Sequence, residues 1–331
     1  MMFVINGADW DFATLTADQI EKLLDQALSF VDVSRSRGED VVIGDDFQTR
    51  AMHGTLSIWD LFGSQSPVHL RRELLQELTA WLATARRYAD APDWPDGIDD
   101  SMISIGGVPG LDNPDVTWAH CCMLAGQSAA CFTFGESVVA ETKTGFGTTR
   151  VHFVADETNR TRFWREMIVF HGDSLESLIR HASHAYPRLY FVEGTLQHAG
   201  QLGGGYIASK SSVQRALSTL DDWGEWAFTW PPPSLRPNEG EPLNANERPN
   251  NQVVRDRFTG FGIDAAPENP NVRNHLASRQ AREAFVGTRR LYCEWHVKLE
   301  PHRNRIHFHP PVLESDQKVV IGMIHEHLPL P

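Results

Sequence analysis

The chemistry-bearing residues of this 331-residue chain crowd into its last forty or so positions. There Arg305, His307 and His309 alternate with the apolar Ile306 and Phe308. Just upstream, Glu294, His296 and Lys298 alternate with Cys293, Trp295, Val297 and Leu299. Side chains two apart on an extended strand leave from the same face, so each triplet presents three polar groups on one side. Glu300–Asn304 reads as a turn between the two strands. Antiparallel pairing across it gathers all six residues on one surface, with the register still open. His307 and His309 can each act as general acid or base, and Glu294 as base or as an orienter of His296. Lys298 and the planar fork of Arg305 suit charge developing on a phosphoryl group.

A second reading of the same segment is a metal site. His307-x-His309 and His325-x-His327 are two pairs that each offer two imidazoles on one strand face. Zinc or another borderline divalent metal accepts such nitrogens, and Glu294 or His296 could complete the shell. The third reading gives these histidines no chemistry, only a hydrogen-bonded strand face beside a docking surface.

Several elements must position these residues. Leu291, Cys293, Trp295, Val297 and Leu299 form the inward face of the first strand, which places Cys293 in the interior and not at a nucleophile's position. Pro310-Pro311 ends the second strand, and Ser315–Gln317 turns the chain. Lys318–Ile324 is apolar on both faces, as a central strand is, and leads to His325, Glu326 and His327. Upstream, Asn269-Pro270 begins a helix expected to reach about residue 284, and Val253–Phe258 suits a short strand or helix. Residues 231–252, rich in Pro, Asn and Glu, have the composition of a linker or long loop.

A helix followed by a meander of three antiparallel strands carrying Glu, His, Lys and Arg resembles the RelE/ParE-like toxin fold. The residues carrying the likeness are Arg305-Ile-His-Phe followed by Lys318-Val-Val-Ile-Gly322, and it spans at most residues 253–331. The resemblance implies a metal-independent endoribonuclease without cofactor, acting on RNA, with ribosome-bound message as a candidate substrate, in a toxin or bacterial defence setting. RNA cleavage through the 2′-hydroxyl needs a base for its proton, an acid for the 5′-oxygen and cations for the phosphorane. Glu294, His296, Lys298, Arg305, His307 and His309 supply those types. The alternatives are a non-catalytic binding or scaffold component of a defence or toxin–antitoxin complex, and a metal-dependent phosphoesterase using the paired histidines.

Residues 1–230 read as an acidic α+β domain, so the whole chain is expected to be α+β. Thr16 and Gln19 form a capping box for a helix bearing Ile20, Leu23, Leu24, Ala27 and Leu28. Ser66-Pro67 predicts the start of a second helix, with Leu70, Leu74, Leu78, Trp81, Leu82 and Ala85 inward. Asn113-Pro114 opens a third. Ala129–Phe134 and Thr148–Val154 read as strands joined by a glycine-rich turn. Helices follow near Thr161–Phe170, after Asp173-x-x-Glu176 and at Val213–Leu220, and Leu189–Val192 is a strand. His181 and His184 are expected on a solvated helix face. Gly204–Ser211 nearly matches a phosphate-binding loop, but Ser209 stands where its second glycine belongs. Trp223, Trp226 and Trp230 read as an aromatic core edge.

The chain has 30 Lys and Arg against 43 Asp and Glu, a net charge of −13. Residues 287–331 carry +1 of this and residues 1–286 carry −14. That excludes a whole-surface nucleic-acid coat, since phosphate repels such a surface, but leaves the terminal segment open to RNA. The acidic remainder then reads as a region that restrains or targets the basic one, as a protein partner or antitoxin would. Cys121, Cys122, Cys131 and Cys293 form no disulfide framework. No leader or membrane span is visible, so the expected compartment is the cytoplasm.

Overall fold

The computed structural model describes residues 2–63, 66–88, 102–229 and 249–331. The protein is α+β, and it divides into two compact units, Met1–Phe163 and Trp164–Pro331.

The first unit is built on an eight-stranded sheet. Its elements in chain order are β1 (Met2–Ile5), α1 (Ala17–Ser36), β2 (Asp40–Ile43), α2 (Arg72–Leu82), β3 (Arg86–Arg87), β4 (Met102–Ile105), β5 (Val108–Asp112), α3 (Pro114–Leu124), β6 (Ala129–Phe132), β7 (Val138–Thr144) and β8 (Gly147–Val154). The strand order is β3-β2-β1-β6-β8-β7-β4-β5. β3, β2, β1, β6 and β8 run parallel, and β7, β4 and β5 extend the sheet antiparallel. Phe3, Val4 and Ile5 of β1 and all of β6 are buried, as central parallel strands covered on both faces must be. Helix α4 (Glu157–Phe170) carries residues of both units. From it Arg160 lies over the Phe30 ring at 3.8 Å and donates to the Phe30 carbonyl at 2.9 Å.

Most of the predicted elements of this unit are present, with two differences. Thr16 caps α1 with Gln19 in a capping box, and Asn113 caps α3 with Pro114 in its first turn. Helix α2, however, begins at Arg72. The Ser66 hydroxyl closes a turn with Val68 instead, donating to its carbonyl at 2.7 Å and accepting from its amide at 3.2 Å. Arg71 is meanwhile drawn to Glu21 and Asp25, both at 2.6 Å. The span between β6 and β8 holds a full strand, β7, and not a turn. Pro109-Gly110 lies inside β5, whereas Gly106-Gly107 makes the β4–β5 turn.

The second unit continues with α5 (Leu175–Ala185), β9 (Leu189–Phe191), α6 (Gly205–Ala227), α7 (Asn251–Gly260), β10 (Asp264–Pro267), α8 (Pro270–Asn274), α9 (Leu276–Gln280), β11 (Glu283–Val286), β12 (Arg289–Tyr292), β13 (Trp295–Lys298), β14 (Arg305–His309) and β15 (Val319–His325). Its main sheet has the order β10-β13-β14-β15-β9, and β11 pairs with β12 separately. The antiparallel β13-β14-β15 meander is as predicted. The strand expected to run unbroken from Leu291 to Leu299 is two strands, parted at Cys293-Glu294. The helix expected from Asn269-Pro270 to about residue 284 breaks at His275, whose ring caps α9 through Ser278.

β9 precedes the proline-rich segment yet pairs in parallel with β15. Residues 253–331 therefore share one sheet with elements from before residue 230, and the compact units part at residues 163 and 164 and not at 231–252. Of that segment, residues 231–248 lie outside the described residues, as does Trp230, and Asn251 already opens α7.

One face of this sheet is apolar. Ile306 is buried there, and Trp295 and Phe308 meet Phe228 after α6 and Phe258 of α7, with ring centroids 5.4 Å apart for Phe228–Trp295 and 6.0 Å for Phe258–Phe308. The other face carries the polar residues of β13 and β14. Asn304 fixes the hairpin between those strands. Its backbone is left-handed, with φ 59°, a conformation asparagine tolerates better than most residues. Its amide accepts from Gly203 N at 2.7 Å and donates to the Gly203 carbonyl, Ser209 Oγ and Glu300 Oε1 at 3.1, 3.2 and 2.7 Å. The phosphate-loop look-alike at residues 204–211 thus holds a side chain of its own unit through Ser209, and its Lys210 is paired with Asp173. β15 carries a bulge at Gly322: His307 faces Met323 and Phe308 faces Ile321. A Cβ on Gly322 would run into Cys293 Sγ, and the bulged carbonyl accepts from Thr195 Oγ1 at 2.9 Å.

His181 and His184 are buried, contrary to the solvated face expected of them. Both pack on Trp164, His181 stacked at 5.8 Å, and His181 Nε2 lies 2.8 Å from His171 Nδ1. Ser174, not Asp173, caps α5.

Two outcomes follow from these contacts. Asn304→Ala removes the amide network and places alanine at a positive φ, and should lower the stability of the second unit by about 2–4 kcal/mol. Asn304→Gly keeps the backbone conformation and should lose less, read by urea denaturation of both variants. Burial, aided by His171, Arg180 and His184, lowers the His181 pKa to about 4. The unfolded chain therefore binds a proton between about pH 6.5 and 4 that the folded one does not. The stability from neutral His181 is complete above about pH 6.5 and falls away as pH drops toward about 4. Urea midpoints measured from about pH 7 to about pH 4 should show His181→Gln with a shallower acid decline than the parent chain, and equal slopes would count against this assignment.

Candidate functional site

A pocket of about 430 Å³ opens on the polar face of β10, β13 and β14. It is lined by Glu268, Arg282, His296, Lys298, Arg305, His307 and His327, with Val272, Leu328 and Leu330 at its apolar edge. The register explains the grouping: His296 stands opposite His307, and Lys298 opposite Arg305. Across the other edge of β13, Ala266 of β10 faces His296. Glu268, two residues on, leaves from the same face, and its amide extends the ladder to the Glu294 carbonyl at 2.7 Å.

Glu268, His296 and His307 form the centre. Glu268 Oε1 is 3.4 Å from His296 Nδ1 and 3.5 Å from His307 Nδ1. The carboxylate side chain is 8% exposed and the His307 side chain 1%. Arg282 donates from Nε to the same Oε1 at 2.8 Å, and its Nη1 is held by the Ser278 and Pro329 carbonyls at 2.7 and 3.1 Å. Neither imidazole Nδ1 makes a hydrogen bond. Burial raises the Glu268 pKa, but His296 and Arg282 contacts and the nearness of His307 outweigh it and hold the carboxyl at about 2. Burial drives His307 well below the ordinary histidine range, with His296 pushing the same way and Glu268 opposing. At neutral pH the centre is thus a carboxylate beside a neutral, buried His307.

Cations ring this centre. Arg305 has a buried Nη1 without a hydrogen-bond partner. Lys298 is paired with Asp264 at 2.9 Å on the exposed rim. His327 completes the rim.

Of the six residues predicted as catalytic, His296, Lys298, Arg305 and His307 meet in this pocket, and Glu294 and His309 do not line it. Glu294 sits in the break between β12 and β13, with its carboxylate 3.8 Å from Arg273 Nη1. His309 turns its Nδ1 to the Pro310 carbonyl at 2.7 Å. The predicted metal set of His307, His309, His325 and His327 is also not assembled. His325 lies beside His198, rings 6.0 Å apart, in a separate pocket with Tyr190, Glu193 and Met323. Cys293 is buried as expected, with burial pushing its thiol up to about 12. Glu268 and Arg282 went unforeseen. The one trace of Glu268 in the sequence is a lone carboxylate placed just before the Asn269-Pro270 helix start.

The first unit has a crevice of its own, about 460 Å³, beyond the carboxyl ends of β1 and β2 and lined by Gly7, Asp11, Asp46, Arg50, Asp112 and Asn113. Open α/β sheets bind ligands in this position, but its one arginine is neutralised by Asp46 at 3.0 Å.

No protein-family model matches the chain, and neither the curated proteins nor the solved structures yield a match. Among the described residues no helix is long and apolar enough to cross a membrane.

Arg282 is the counter-charge of a buried carboxylate. Arg282→Met should lower stability by about 3–5 kcal/mol, the range for stripping one partner from a buried pair. Adding Glu268→Gln should recover a large part of that loss, because no buried charge is then left alone. Thermal unfolding of both variants tests this, and a double variant no more stable than the single one would show that the pair is not coupled.

Proposed function

We propose that the pocket of the second unit cleaves a phosphodiester, with RNA as its substrate. The observation that supports this most is the pair of cross-strand couples, His296 with His307 and Lys298 with Arg305, opening on one concavity with a buried carboxylate behind them. In this reading the Glu268, His296 and His307 centre takes the proton from the attacking 2′-hydroxyl. Arg305 and Lys298 hold the equatorial oxygens of the phosphorane, where fixed cations in a partly dry site are most effective. His327, on the open rim, returns a proton to the departing 5′-oxygen. The products are a 2′,3′-cyclic phosphate and a 5′-hydroxyl. The choice of RNA comes from the RelE-like resemblance of residues 253–331, and the +1 charge of residues 287–331 permits a polyanion where the remainder does not.

The test is incubation of the full chain, with and without added zinc, with a labelled single-stranded RNA. Cleavage with cyclic phosphate ends is expected. Arg305→Ala should lower kcat/KM by about 10²–10³-fold, as for loss of one oxyanion donor, while Glu294→Ala and His309→Ala should change it by less than about threefold. Intact RNA after prolonged incubation with the folded parent chain, or equal rates for Arg305→Ala, would remove the reading.

A further inference from the structure

We infer that Glu268, His296 and His307 bind one divalent transition-metal ion of the zinc class. Their donor atoms, one carboxylate oxygen and two imidazole nitrogens, all lie within 4.8 Å of one another. Two of the separations, 3.4 and 3.5 Å, run from Glu268 Oε1 to the two Nδ1 atoms. Ligands about 2.1 Å from a tetrahedral zinc stand about 3.4 Å apart, so the spacing is that of one edge of a coordination tetrahedron.

A hydrogen-bonded imidazole and carboxylate would close to about 2.7–2.9 Å. Here neither Nδ1 does so, and both are buried without a partner. Such groups carry a desolvation penalty unless something satisfies them. Two nitrogens converging on one carboxylate oxygen point to a cation. Arg282 then acts as the outer partner that fixes the carboxylate, donating to Oε1 at 2.8 Å. Two imidazoles and one carboxylate are also the ligand count of catalytic zinc sites, which keep a fourth position for water. Glu268, His296 and His307 line the same pocket as Arg305, Lys298 and His327.

The chemistry assigned to the ion rests on the phosphodiester reading above, while the binding rests on donor geometry alone. Ion-bound hydroxide would take the 2′-hydroxyl proton and become water. The 2′-oxygen would then bond to phosphorus as the bond to the 5′-oxygen breaks, and the 5′-oxygen would leave with a proton from His327. This departs from the metal-independent chemistry that the RelE-like resemblance implies.

The experiment is titration of the chelator-treated full chain with Co(II), followed by displacement with Zn(II). One Co(II) per chain is expected, with visible ligand-field absorption of low coordination number, and one equivalent of zinc should abolish it. Glu268→Gln and His296→Gln should weaken binding by at least the about 10–100-fold seen on losing an outer-shell partner. His325→Ala, in the separate pocket, should leave it unchanged. Circular dichroism of each variant shows whether it is folded, and His296→Gln carries the test if Glu268→Gln is not. Absence of stoichiometric binding by the folded parent chain, undiminished affinity in folded His296→Gln, or loss with His325→Ala in its place would overturn the site. Binding without RNA cleavage would support the ion site and remove the phosphodiester reading. Cleavage undiminished by chelation would support that reading and overturn the ion's part in it.

Discussion

The polar face of the second unit hangs on one asparagine. Asn304 occupies a left-handed turn position immediately before β14, and its amide is tied at both ends to the start of α6 and to Glu300. That clamp sets where β14 begins relative to β13. Strand side chains alternate with period two, so a slip of one residue would turn His307 and Arg305 into the apolar layer and bring Ile306 and Phe308 out. The apolar layer enforces the same choice, because Trp295 and Phe308 meet Phe228 and Phe258 only in the observed register. Turn and core therefore agree on a single pairing, and the pocket is its by-product.

The centre of that pocket is costly as pure architecture. A carboxylate, a guanidinium and two imidazoles are withdrawn from water together, and apolar side chains of similar volume would commonly be as stable or more so. Arg282 compensates Glu268, yet both Nδ1 atoms and one Arg305 nitrogen remain without hydrogen bonds. Concentrations of unsatisfied polar groups at the floor of a concavity are the usual mark of chemistry. His181 also has a buried Nδ1 without a hydrogen-bond partner. It and His184 lie against the Trp164 ring, and their arrangement reads as packing.

What could be read from the amino-acid order followed the range of its signals. Alternation over Trp295–Lys298 and Arg305–His309 specified one face, and a short turn specified its partner strand, so four pocket residues were legible. His309 shares the alternation but sits where β14 ends and turns to its own neighbour's carbonyl, a local event that periodicity does not register. Glu268 follows directly on β10, far back in the chain, and a single carboxylate has no period to betray it. Likewise β7 lacks a strong alternation, and its membership of the sheet is decided by pairing with β8. His181 and His184 looked exposed because the tryptophan that covers them is contributed by another helix. Ser66-Pro67 has the residue types of a helix start, yet its hydroxyl found a nearer acceptor in Val68.

The parallel pairing of β9 with β15 has a consequence during synthesis. A ribosome makes β9 long before β15, and β14 emerges with one edge bare until residues 319–325 arrive. Until then the strand bearing Arg305 and His307 lacks the neighbour that supports its far side, and β9 has no partner in the sheet. The polar face consequently matures only once residues 319–325 have emerged. In that interval two open strand edges invite association.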